Sequence, residues 1–206
     1  MYMRPMRNVL FFIVGMGMVI SCATKTETII WKDKEYAGGT IDSVLIIGVA
    51  KKIENKSLFE KALSEAFERE GVTTHNSVDV FQQDLKLTKD IIKKKAVNLG
   101  AKAVIVTHLV SVAEEDVYRP AATITSRNTH ANHIGSYFNH VDNMVNYPGS
   151  YGKKKVVRLK TSTFETASEK LIFTISSRTM DPKSVNATID SVCSALIKDF
   201  KRNNLL

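Results

Sequence analysis

The chain has 206 residues, of which 44% are apolar and 24% charged, with 10 glycines and 4 prolines. That composition excludes a disordered tail, a collagen-like rod and a polytopic membrane protein, and it suits one globular domain with or without a tether. Two cysteines cannot build a disulfide scaffold, and the net charge is +8.

Residues 1–21 read as a secretory signal. Arg4 and Arg7 give a positive front, and Val9–Ile20 is an uncharged apolar run of 12 residues. A membrane-spanning helix needs about 20, so the run is too short for an anchor. It ends in Val19-Ile20-Ser21-Cys22. That tetrapeptide resembles the lipobox of bacterial lipoproteins: an aliphatic residue, a tolerated one, a small one, then cysteine. The resemblance implies a diacylglyceryl thioether on the Cys22 sulfur, cleavage before Cys22 and acylation of the new amino group, with a fatty acid such as palmitate. Two or more chains hold a protein stably on a bilayer, since each buried methylene contributes about 0.8 kcal/mol. Ala23 follows the cysteine, where aspartate favours inner-membrane retention in enterobacterial sorting. The expected location is the periplasmic face of the outer membrane. The bland alternative is a stray cysteine after an ordinary signal or an uncleaved anchor.

Loss of Arg4 and Arg7 takes the net charge from +8 to +6. For an exported chain, anionic lipid or glycan surfaces are the expected partners of positive charge and nucleic acid is not, and a solvated basic surface with no partner is expected ahead of either.

Residues 22–39 read as a lipidated tether and linker. Ala23–Glu27 is short and polar, Trp31 and Tyr36 are expected to pack on the domain edge, and Gly38-Gly39 marks a turn. Residues 40–206 read as a single α/β domain. Ser43–Ala50 is a continuous aliphatic run, the mark of a strand buried on both faces. Ser57 and Glu60 fit a capping box, opening a helix with Phe59, Ala62, Leu63, Ala66 and Phe67 on one face and Gly71 as its stop. Val72–Phe81 reads as a second, weaker strand. Thr88 is a candidate cap for a helix carrying Ile91, Ile92, Ala96, Val97 and Leu99, which Gly100 ends. Ala103–Val112 is a third strand, with His108 read as a satisfied core histidine. Together these segments predict a βαβαβ unit with a parallel sheet.

Glu114–Lys155 is polar and lacks periodicity, and it reads as a long loop. Val156–Thr166 then alternates, Ala167–Lys170 turns, and Leu171–Met180 returns as the second arm of a hairpin. Asp181-Pro182 reads as a cap with proline at the first helical position. The final helix carries Val185, Ile189, Val192, Cys193, Leu196, Ile197 and Phe200 at helical spacing. The predicted fold is a βαβαβ parallel core extended by an antiparallel hairpin and a C-terminal helix: a mixed sheet with packed helices.

Several of these segments resemble a family of uncharacterised lipoproteins from Gram-negative bacteria. They are the lipobox, Trp31-Lys32-Asp33 with Tyr36 and Gly38-Gly39, the strand ending Gly48-Val49-Ala50, Gly100-Ala101-Lys102-Ala103, and the hairpin leading to Asp181-Pro182. The likeness covers nearly the whole chain except the central loop, where relatives are rich in Gly and Tyr. The architecture is also similar to the α/β domains of the TolB amino-terminal region and the curli secretion lipoprotein CsgG. The resemblance supplies no catalytic residue.

His130, His133 and His140, with Asp142 nearby, form the sharpest candidate metal site, because neutral imidazoles bind zinc or copper. The spacing matches no defined site, and polar loops also collect histidines simply for solvation. Cys193 lies on an apolar helix face and reads as an inert buried thiol. Glu114, Glu115 and Asp116 read as solvated carboxylates at a loop entry. The Gly-x-Ser-x-Gly elbow, the phosphate-cradling loop and the dinucleotide glycines are all missing from the domain. The sequence therefore predicts a non-catalytic outer-membrane lipoprotein, with no cofactor beyond the lipid on Cys22, contacting an envelope protein partner as a scaffold. The alternative is a metal- or ligand-binding envelope protein that uses the loop histidines.

Overall fold

A computed structural model describes residues 24–82, 85–119 and 150–206. Among them are six strands, β1 (Lys25–Lys32), β2 (Ser43–Val49), β3 (Thr73–Asn76), β4 (Ala103–Arg119), β5 (Ser150–Glu165) and β6 (Leu171–Met180). Four helices accompany them: α1 (Ile53–Glu68), α2 (Ser77–Val80), α3 (Lys89–Asn98) and α4 (Val185–Arg202). The strands form one open mixed sheet in the order β1-β6-β5-β4-β2-β3. β2 runs parallel to both β3 and β4, whereas β4–β5, β5–β6 and β6–β1 are antiparallel. The predicted α/β class and its antiparallel extension are those of the structure.

β2 is central and aliphatic because both faces are covered. Val44 and Ile46 join a core with Phe59, Leu63 and Phe67 of α1 and with α4. Leu45 and Ile47 face the other way, against Ala96 of α3 and Val104 of β4. In the larger core Phe200 meets Phe67 and Phe173 edge-on, each pair of ring centres 5.2 Å apart. Edge-on contact sets the positive ring rim against a negative ring face. Gly71 and Gly100 end α1 and α3 at φ +81° and +68°, a conformation that costs a residue with a Cβ. Thr88 caps α3 as predicted, its hydroxyl accepting the Ile91 N–H at 3.4 Å.

Five local readings are corrected. Lys25–Lys32 is not tether but the edge strand, paired along its length with β6 from Lys25–Met180 to Lys32–Phe173. Its outer hydrophobics stay exposed, Ile29 by 78% and Trp31 by 50%, so the strand showed no buried alternation to find. α1 begins at Ile53 with Lys52 as its N-cap residue, so Ser57 and Glu60 lie inside the helix and form no capping box. The second strand stops at Asn76, where the chain turns into the four-residue α2. α4 is capped by Ser184, whose Oγ accepts the Ala187 N–H at 3.0 Å, while Asp181 sits in a left-handed turn at φ +51°.

The fifth correction concerns Glu114–Lys155. β4 and β5 continue as a two-stranded arm out to the Arg119–Ser150 pair. Its polar residues are paired in backbone register: Glu114 with Lys155, Glu115 with Lys154 and Asp116 with Lys153. This backbone pairing of polar residues leaves no apolar alternation in the sequence.

Candidate functional site

The parallel strand β2 ends at Gly48, Val49 and Ala50, with α1 beginning three residues later. α4 crosses the same face of the sheet, and its first two turns stand beside α1. Between the helices, over β4 and β5, lies a cleft of about 400 Å³. It sits beyond the carboxyl end of β2, where open α/β sheets commonly bind ligands.

The walls are built from alternating strand positions. Thr107, Leu109 and Val112 of β4, with a register shift between Leu109 and Ser111, face Val157 and Leu159 of β5. Phe59 closes one side, with Ile189 and Val192 on the other. Val49, Leu109, Val112 and Val185 are each at least half exposed at the cleft although all are aliphatic. Exposed aliphatics gathered in one concavity mark a binding surface more than scattered ones do.

Asn55 is the amide of the lining, and the three hydroxyl side chains are already engaged. The Thr107 hydroxyl bonds that of Thr161 at 2.9 Å, the Thr188 hydroxyl donates to the Ser184 carbonyl at 3.0 Å, and Ser184 Oγ caps α4. Three lysines complete the lining, Lys56, Lys155 and Lys183. Lys56 Nζ stands 3.9 Å from Glu60 Oε1, and among the described residues Lys155 and Lys183 have no carboxylate within ion-pair range. Among the described residues, the lining contains no carboxylate, histidine or cysteine. It offers apolar contact, one side-chain amide and positive charge.

Glu60 holds this region in shape. It is fully buried, accepts the Gly48 N–H at 2.7 Å and the Ser77 hydroxyl at 2.6 Å on Oε1, and accepts the Val78 N–H at 2.9 Å on Oε2. One carboxylate thus ties α1 to the end of β2 and to the start of α2. Sequence reading placed Glu60 at a helix cap and missed this role. A glutamate on the apolar stripe of α1, one residue after Phe59, was the available clue.

The opposite face of the sheet carries an ion network. Glu115 pairs with Arg158 and, at 2.8 Å, with Arg178, which also reaches Glu27 at 3.4 Å. Hydrogen bonds from Arg158 and then Arg178 hold the Glu115 carboxyl below the usual carboxylate range. Glu115 is therefore a paired strand residue, not a solvated loop carboxylate. His108 is exposed on β4 and not in the core. Cys193 is buried as expected, and burial, with Asp190 beside it, pushes its thiol up to about 12.

Cys22, His130, His133, His140 and Asp142 lie outside the described residues. Among the described residues no three His, Cys, Asp or Glu side chains stand close enough to hold a metal ion, and no helix is long and apolar enough to cross a membrane.

No protein-family model and no curated protein matches the sequence. Similar solved structures include PelC of Paraburkholderia phytofirmans, solved as a dodecamer, at 8% identity and TM-score 0.46 over 83% of this chain and 96% of that one. They also include the lipoprotein GNA1162 of Neisseria meningitidis, at 12% identity and TM-score 0.42 over 78% of this chain and 98% of that one. The structural neighbours of this chain thus include a bacterial lipoprotein.

Proposed function

We propose that the chain is a non-catalytic lipoprotein held on the periplasmic face of the outer membrane through acyl chains on Cys22. Its α/β domain acts there as a contact scaffold in envelope maintenance or assembly. One relationship carries the reading: the lipobox cysteine lies two residues before Thr24, which hydrogen-bonds to the last helix. The Thr24 carbonyl accepts the Ser191 hydroxyl of α4 at 2.8 Å, and Lys25 opens the edge strand. Thr26 reinforces the attachment, its hydroxyl bonding Ser191 and Thr179 at 2.7 Å each. Only Ala23 separates Cys22 from Thr24, and a residue spans at most about 3.6 Å. An acylated Cys22 therefore holds the start of β1 close to the lipid surface, and the domain makes its contacts within reach of the membrane.

Fractionation combined with crosslinking in cells tests this. The wild type is expected in the outer-membrane fraction, crosslinked to envelope proteins. Cys22→Ser is expected in the soluble periplasm with those crosslinks lost. A wild type found free of membranes, or identical crosslinks from both forms, contradicts the proposal.

A further inference from the structure

We propose that the cleft between α1 and α4 binds a single-chain anionic amphiphile: an acyl chain laid along the sheet, with its acidic head against Lys155 and Lys183. Three observations carry this beyond the scaffold reading. The cleft volume of about 400 Å³ falls within the range of about 300–1,000 Å³ usual for small-molecule sites. The hydroxyls of Thr107, Ser184 and Thr188 already hydrogen-bond within the protein. A peptide placed there would leave its own backbone groups unpaired at a cost, whereas an acyl chain carries none.

Charge selects the head group. Among the described residues, Lys56, Lys155 and Lys183 are the only charged ones in the lining, and all three are positive. The N-terminus of α4 opens at Ser184 beside them, and its dipole adds to the positive potential. Glu114, the nearest carboxylate across the strand pair from Lys155, makes no ion pair with it and is not in the lining. A neutral lipid would leave this charge uncompensated, and a free phosphate would leave the aliphatic walls wet.

The test is displacement of a fluorescent fatty acid from the full chain carrying Cys22→Ser, with lauric acid, dodecanol, inorganic phosphate and an acidic peptide as competitors. Laurate is expected to compete about tenfold better than dodecanol, the ratio one charge-assisted contact gives. The double variant Lys155→Ser/Lys183→Ser is expected to bring laurate down to the dodecanol level and leave dodecanol unchanged. Val185→Asp, at an exposed position, is expected to weaken both, with folding checked by circular dichroism. Equal competition by laurate and dodecanol, an unchanged double variant, better competition by phosphate or peptide, or no displacement at all overturns the proposal. No acylated protein is used, so failure here leaves the Cys22 anchor untouched.

Discussion

Glu60 Oε1 accepts the Gly48 N–H at 2.7 Å, joining the middle of α1 to the end of the central strand. Gly48 lies close under both side chains: a Cβ there would stand 3.4 Å from the Glu60 and Lys56 Cγ atoms, in ordinary contact. The buried carboxylate thereby fixes the floor of the cleft.

Glu60→Ala orphans the Gly48 and Val78 N–H groups and the Ser77 hydroxyl. Each buried donor left without a partner costs about 1–3 kcal/mol. Chemical denaturation should show a markedly lower midpoint for Glu60→Ala, and a smaller loss for Glu60→Gln, which keeps one acceptor oxygen.

Phe67 is fully buried and stands edge-on against Phe200. Phe67→Ala should destabilise the domain by about 3–5 kcal/mol, as large-to-small core changes do. Phe67→Asp should abolish folding, because it buries an unpaired charge. Thermal melting followed by circular dichroism checks both.

The Glu115 carboxyl, held low by Arg158 and Arg178, binds a proton more readily in the unfolded chain than in the folded one. Its contribution is present above the ordinary carboxylate range and is lost as pH falls through its folded value. Glu115→Gln should therefore lower the melting temperature at neutral pH, leave it little changed at the lowest pH, and so flatten the acid limb. Its side chain is partly open to water, so the effect should shrink at high salt.

Cys193 has the opposite sign. Its folded thiol is pushed up to about 12, so the unfolded chain loses this proton first. Stability from this group is complete below the ordinary thiol value of 9.0 and is lost as pH rises through about 12. At neutral pH the native thiol should resist alkylation by iodoacetamide and react fully in denaturant. Rapid native labelling would contradict its burial.

Legibility in the sequence followed apolar burial. Ser43–Val49 and the Phe59/Leu63/Phe67 stripe were readable because hydrophobic periodicity and two-sided burial leave a pattern. The sheet's polar parts were not. The outer arm sets Glu114–Asp116 opposite Lys153–Lys155, a long-range backbone pairing that no local window contains. β1 has one neighbour and a solvent edge, so Ile29 and Trp31 stand exposed and look like linker. Glu60 misled because a glutamate three residues after a serine fits a cap as well as it fits a buried clasp. The cleft itself is assembled from β2, β4, β5, α1 and α4, and only the fold brings Lys155 and Lys183 to one rim.

The most direct measurement is the intact mass, with sequencing of the first peptide, of protein taken from the native host. The account requires a chain beginning at Cys22 and carrying a diacylglyceryl thioether with an acylated amino group. A free thiol at residue 22, or a chain still starting at Met1, contradicts it.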